Sequence, residues 1–223
     1  MERRSKRAVG VPVLLVFLTL IPIVMGLVRF VQVPTHSLPD ESLYFYETPW
    51  ALAFHGLCGA LFGLLGPLQF WTAFRRRFGW LHKLSGRIFV VSGVVLSLSG
   101  LRMVAAFMGN DINLTDASRV LFSIALLIGM WLAISSIRNG DLPRHRAWVI
   151  RSYAIGMGTA PIAFVLFPVF LITGVPPTGL AVDLIFVGTW ITSIAAAEIV
   201  IRFVIPTRQS QRLTSQHWKG DPA

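Results

Sequence analysis

Apolar runs of twenty residues and more recur along the chain, separated by short polar segments, and inside each run the side chains do not alternate between polar and apolar. In a hydrocarbon medium every backbone N–H and C=O must be satisfied within its own element, so such runs predict membrane-spanning helices. Six are expected: Ala8–Val33, Trp50–Trp71, Gly86–Met108, Val120–Ile137, Trp148–Thr173 and Leu184–Val204. The second carries a tryptophan at each edge, as interfacial aromatic belts do. Pro161 and Pro168 predict kinks in the fifth. The first run exceeds the about 7–15 apolar residues of a secretory signal peptide and ends without a small-residue cleavage site, which predicts a retained anchor.

The connections complete the pattern. Gln32–Glu47 is polar and acidic, Arg75–Lys83 basic, Gly109–Ser118 short and polar, and Arg138–Arg146 basic. Val175–Val182 turns through Pro176 and Pro177, and residues 205–223 read as a disordered basic tail. The expected fold is an all-α, polytopic membrane bundle of six transmembrane helices. Spans two to five form a four-helix core, flanked by the first and sixth. A basic tail at 1–7 leads into a single transmembrane domain over 8–204.

Composition supports a membrane protein: 54% of the 223 residues are hydrophobic and 13% charged, against about 25% charged in soluble domains. A net charge of +10 would suit a nucleic-acid partner if it formed one surface, but it is divided among the connections. Under the six-span topology, 17 of the 20 lysines and arginines fall on one side, leaving only Arg29, Arg102 and Arg119 opposite. That bias predicts both termini in the cytoplasm, with lipid and not nucleic acid as the surrounding partner. The single cysteine, Cys58, lies within an apolar run and reads as a small buried apolar residue. No phosphate-binding loop, dinucleotide fingerprint, nucleophile elbow or zinc-protease motif is present.

Candidate chemistry rests on polar side chains within or at the ends of spans, where they are costly. On the second span, helical spacing puts His55, Gly59, Phe62, Gly66 and Gln69 on one face. Its small residues, and the Gly59–Gly63 spacing, suit close approach of another helix. The third span opens on His82 with Gly86 and Arg87 following, and the fifth opens on His145, with Arg151, Ser152, Tyr153 and Gly156. Two histidines at matched depth on different helices suit a haem: imidazoles supply axial nitrogens, glycines leave room for the macrocycle, and Arg87 and Arg151 pair with propionates. The same histidines also read as boundary residues bonded to loop carbonyls and headgroups. Glu198 is the only acid well inside a span, and either pairs with Arg202 one turn on or serves a proton relay. Arg102, near the outer end of the third span, lies at the depth of His55.

His55 with Gly66-Pro67-x-Gln69-Phe70, the arginine-rich loop into His82-x-x-x-Gly86-Arg87, and His145-Arg146-x-Trp148-x-x-Arg151-Ser152-Tyr153-Ala154 together resemble a family of bacterial predicted membrane proteins, domain of unknown function 2306. The resemblance covers about Trp50 to Tyr153 and the rest of the fifth span, some 50–173. It implies a multi-pass protein of the bacterial inner membrane and no activity. A weaker likeness is to four-helix membrane cytochromes of the b561 type, whose core histidines hold haems; here only His82 and His145 form a matched pair. Two functions follow. One is electron transfer through a single haem b near the cytoplasmic side, with a redox partner to match. The other is a non-redox membrane protein, either a small-solute or proton carrier or a packing subunit of a complex.

Overall fold

The computed structural model describes residues 2–107 and 112–204, with the side chains of residues 2–12 and 204 left aside. The tail expected over 205–223 lies outside the described residues. Eight α-helices follow in order: α1 (Glu2–Gln32), α2 (Pro49–Phe70), α3 (Thr72–Arg77), α4 (Gly79–Phe107), α5 (Leu114–Arg138), α6 (Leu142–Gly156), α7 (Ile162–Thr173) and α8 (Leu180–Val204), with a 3-10 helix over Asp40–Glu47 between α1 and α2. Local chemistry sets several boundaries. Asn113 caps α5 by accepting from the Asp116 N–H at 2.7 Å, and Asp141 caps α6 by accepting from the Arg144 N–H at 3.0 Å. Gly140 and Gly174 take the positive φ that follows α5 and α7.

Five of these helices are long and apolar enough to cross a membrane: 13–32, 49–70, 79–107, 114–138 and 180–203. The fifth expected span is the exception. It starts at Leu142, breaks at Met157–Pro161 and resumes as the shorter α7. Pro161 brings no N–H and disfavours helical backbone at Ala160, so the expected kink is a full interruption. The third span also differs, because α4 begins at Gly79 and carries His82 within its first turn.

Successive spans run antiparallel, and cross-helix contacts set their register. Gly26 of α1 meets Gly56 of α2, Gln69 of α2 meets Ser85 of α4, and Gly93 of α4 meets Met130 of α5. His145 of α6 meets Ala133 of α5, and Trp190 of α8 meets Ile155 of α6. One end of the bundle therefore gathers the start of α2, the end of α4 and the starts of α5 and α8. The opposite end gathers the arginine-rich segments. Phe62, Phe89, Met130 and Tyr153 form the centre of the core, with the Phe62 and Phe89 rings stacked at 4.2 Å. Outward faces carry exposed Val24, Val91, Leu98, Leu121, Ile128 and Leu171, the surface that lipid requires.

Candidate functional site

The face of α2 that begins at His55 is a continuous packing ridge. His55 Nδ1 lies 3.3 Å from Ser99 Oγ on α4. Gly59 faces Leu96, Phe62 fills the hollows beside Gly93 and Gly156, and Gly66 abuts the Tyr153 ring. Tyr153 Oη donates to the Gly63 carbonyl at 3.2 Å. At the far end Gln69 Nε2 donates to Ser85 Oγ at 2.9 Å, and Ser85 Oγ donates to the His82 carbonyl at 3.2 Å. Without a hydrophobic effect between helices in lipid, such contacts and small residues are what hold spans together. The backbone-to-backbone contact of Gly26 with Gly56 was not anticipated; Gly56 lies one residue off the ridge and faces α1.

At the arginine-rich end, His82 and His145 lie within electrostatic reach of each other. His145 Nδ1 donates to the Ala133 carbonyl at 2.9 Å, which leaves its Nε2 without a proton in the neutral ring. His82 Nδ1 is buried without a hydrogen-bond partner among the described residues. The room expected beside the glycines is filled, however. Gln69 Oε1 stands over Gly86, and Phe62, fully buried, stands against Gly156. Ser152 is pressed onto Gly129. The glycines expected to leave room for a macrocycle are thus already in contact with neighbouring side chains. Arg151, expected to meet propionates, holds Glu198 of α8 in a two-pronged pair at 2.6 and 2.9 Å and covers the Trp148 ring at 4.9 Å. The i,i+4 pair expected for Glu198 is thus replaced by a cross-helix one, with Arg202 only within electrostatic reach. Arg87 is exposed.

An opening lies at the other end of the bundle. A cavity of about 330 Å³ lies among α2, α4, α5, α6 and α8, and Tyr44 and Phe45 of the 3-10 helix reach it. His55, Ser97, Asp116, Arg119, Ser123 and Thr159 supply its polar groups. Phe107, Phe122, Phe186 and Trp190 supply aromatic walls. Arg102 is exposed and does not line it; the arginine that shares the cavity with His55 is Arg119. Arg119 pairs with Asp116 at 3.2 Å and covers the Phe186 ring at 5.5 Å. Thr115 Oγ1 donates to Asp183 Oδ1 at 2.5 Å and joins the starts of α5 and α8.

The interrupted span borders this cavity through Ile155, Gly156 and Thr159. Carbonyls released by the break are taken up by α8: Trp190 Nε1 donates to Ile155 O at 2.9 Å and Ser193 Oγ to Gly158 O at 3.4 Å. Gly158 is required for this, since a Cβ there would fall within the indole of Trp190. The run Gly156-Met157-Gly158-Thr159-Ala160-Pro161 is the sequence signal for the break, and its glycines point to the cavity beside it.

Long apolar helices, an apolar outer surface and polar groups gathered between spans define a polytopic α-helical membrane protein. Residues 52–201 match the family model of predicted membrane protein DUF2306, and the chain belongs to that family. The match runs beyond the fifth span into the sixth. No curated protein matches the chain, and no solved structure does. The likeness to b561-type cytochromes has no counterpart in these comparisons.

Proposed function

We propose that the protein is a non-redox membrane protein that binds a small, largely apolar solute in the cavity around His55, in the manner of a carrier. The observation that carries this reading is the position of the cavity against an interrupted span. Irregular backbone at membrane depth is tolerated where it is buried in protein or lines a cavity, and carriers use such interruptions to form solute sites. An apolar enclosure with a few convergent polar groups is the usual form of a small-molecule site. The charge bias supports a bacterial inner-membrane orientation with both termini cytoplasmic, which puts the cavity in the outer half.

The test uses the full chain in lipid nanodiscs and a panel of small apolar solutes with a hydroxyl, a carboxylate or no headgroup. At least one should raise the melting temperature of the wild type and not of Ser123→Trp, whose indole occupies the cavity. A panel that shifts neither protein overturns the solute reading.

A second reading, one haem b held by His82 and His145 for electron transfer, is favoured by a single observation. His145 Nδ1–H is fixed on a backbone carbonyl, the arrangement that orients a ligating imidazole. The Gln69 side chain standing over Gly86 opposes it. Protein expressed with ample haem is expected to purify colourless. Low-spin bands lost in both His82→Ala and His145→Ala, and kept in His55→Ala, would establish the haem instead.

A further inference from the structure

We propose that the cavity selects a neutral ligand bearing a phenolic hydroxyl, which donates its proton to Nε2 of His55; this rests on the solute-binding reading above. The tautomer of His55 follows from its neighbour. Ser99 Oγ has one proton, and it is committed to backbone carbonyls, Val95 O at 2.7 Å with Leu96 O at 3.1 Å. What Ser99 offers to His55 Nδ1 at 3.3 Å is therefore a lone pair, so Nδ1 carries the imidazole proton. In the neutral ring Nε2 is then an acceptor, and a ligand must bring the donor. A ligand carbonyl or ether would set acceptor against acceptor.

Charge narrows the class further. The cation lining the cavity, Arg119, is paired with Asp116, which lines it too. Neither an anion nor a cation would find an uncompensated partner among these residues, and a neutral molecule loses least on entry. An imidazolium at His55 would share the enclosure with the Arg119 guanidinium, so the neutral ring suits the site.

The walls select a ring. Phe107 meets Tyr44 and Phe45 edge to face, each at 5.2 Å, on one flank. Phe122 and Trp190 stack at 4.6 Å on the other. Edges and faces offered from two flanks suit an aromatic guest over a flexible chain. A phenol is the simplest neutral molecule that combines a ring with a strong hydroxyl donor.

The probes are 4-propylphenol, its methyl ether 4-propylanisole, and 4-propylcyclohexanol, titrated into full-length protein in nanodiscs. Binding is read by calorimetry, with Ser123→Trp nanodiscs correcting for partition into lipid. The phenol should bind about tenfold or more tightly than the ether, the effect of leaving a buried acceptor unpaired. It should also bind more tightly than the saturated alcohol. His55→Phe should bring phenol and ether to equal affinity. Ser99→Ala, which frees the imidazole to change tautomer, should reduce the preference without removing it. Saturable binding with equal affinity for phenol and ether overturns this inference and leaves the solute reading in place. No saturable binding of any probe overturns the inference, and the wider solute panel then decides the reading beneath it. If His55→Phe does not fold, the phenol-to-ether ratio on the wild type and Ser99→Ala still decides.

Discussion

A Cβ on Gly56 would collide with the carbonyl oxygen of Gly26, and one on Gly66 would enter the ring of Tyr153. Gly59 is different, because a Cβ there meets Leu96 Cδ1 at 3.5 Å, an ordinary contact. The three positions lie within eleven residues of one helix and are expected to respond differently. Gly56→Ala and Gly66→Ala should each destabilise the protein by about 1–3 kcal/mol, the cost of forcing atoms into a filled space. Gly59→Ala should be close to neutral. Melting of the three variants in one detergent checks this, and equal losses at all three would contradict the packing described. Spacing along α2 made the ridge itself legible, including His55, Phe62, Gly66 and Gln69 on one face. It did not reveal that Gly56 meets the backbone of α1, since a glycine off the ridge gives no sign of which helix it faces. Arg119 was equally hidden: its value depends on α5 and α2 being brought together at one end, which no local pattern encodes.

At the scale of the helices, the interrupted fifth span is tied to α8 by specific polar contacts. Trp190 supplies a donor to Ile155 O and fills the space over Gly158, and Arg151 reaches across to Glu198. Trp190→Phe keeps much of the ring and removes the donor, so it should cost about 1–2 kcal/mol, somewhat above a typical interhelical bond in lipid. For the ion pair, Glu198→Gln and Arg151→Gln should each destabilise, and the exchanged pair Arg151→Glu with Glu198→Arg should recover part of the loss. A double-mutant cycle with no coupling would show that the pair is incidental. Hydrophobic runs made the number of spans readable because each run must satisfy its own backbone. The partner of Glu198 was not readable, because a residue one turn away and a residue on another helix satisfy the same carboxylate equally well. The haem reading drew on matched depth, glycine content and flanking arginines, and none of these reports whether the space beside a glycine is already filled by Phe62 or Gln69.

Across the whole molecule the antiparallel register fixes how many times the chain passes from end to end. Thr115 at the start of α5 bonds Asp183 at the start of α8, so these two helices begin at the same end. α6 begins at the opposite end, beside the last turn of α5, and pairs antiparallel with α8 through Arg151–Glu198 and Ile155–Trp190. Between Leu142 and Leu180 the chain must therefore change ends, although α6 and α7 are each too short to do so as one regular helix. Six passages result, and six return the chain to the end where it began. On the proposed orientation, which rests on the 17-to-3 division of basic residues, each arginine-rich connection faces the cytoplasm. Reporters fused after Thr115, Asn139 and Pro177 are expected to read outside, inside and outside. The fusion at Pro177 is the decisive one, since it alone follows the interrupted span. An inside reading there would mean that α6 and α7 dip into the membrane and return, that α8 begins on the cytoplasmic side, and that the shared end of α5 and α8 is not formed in the cell.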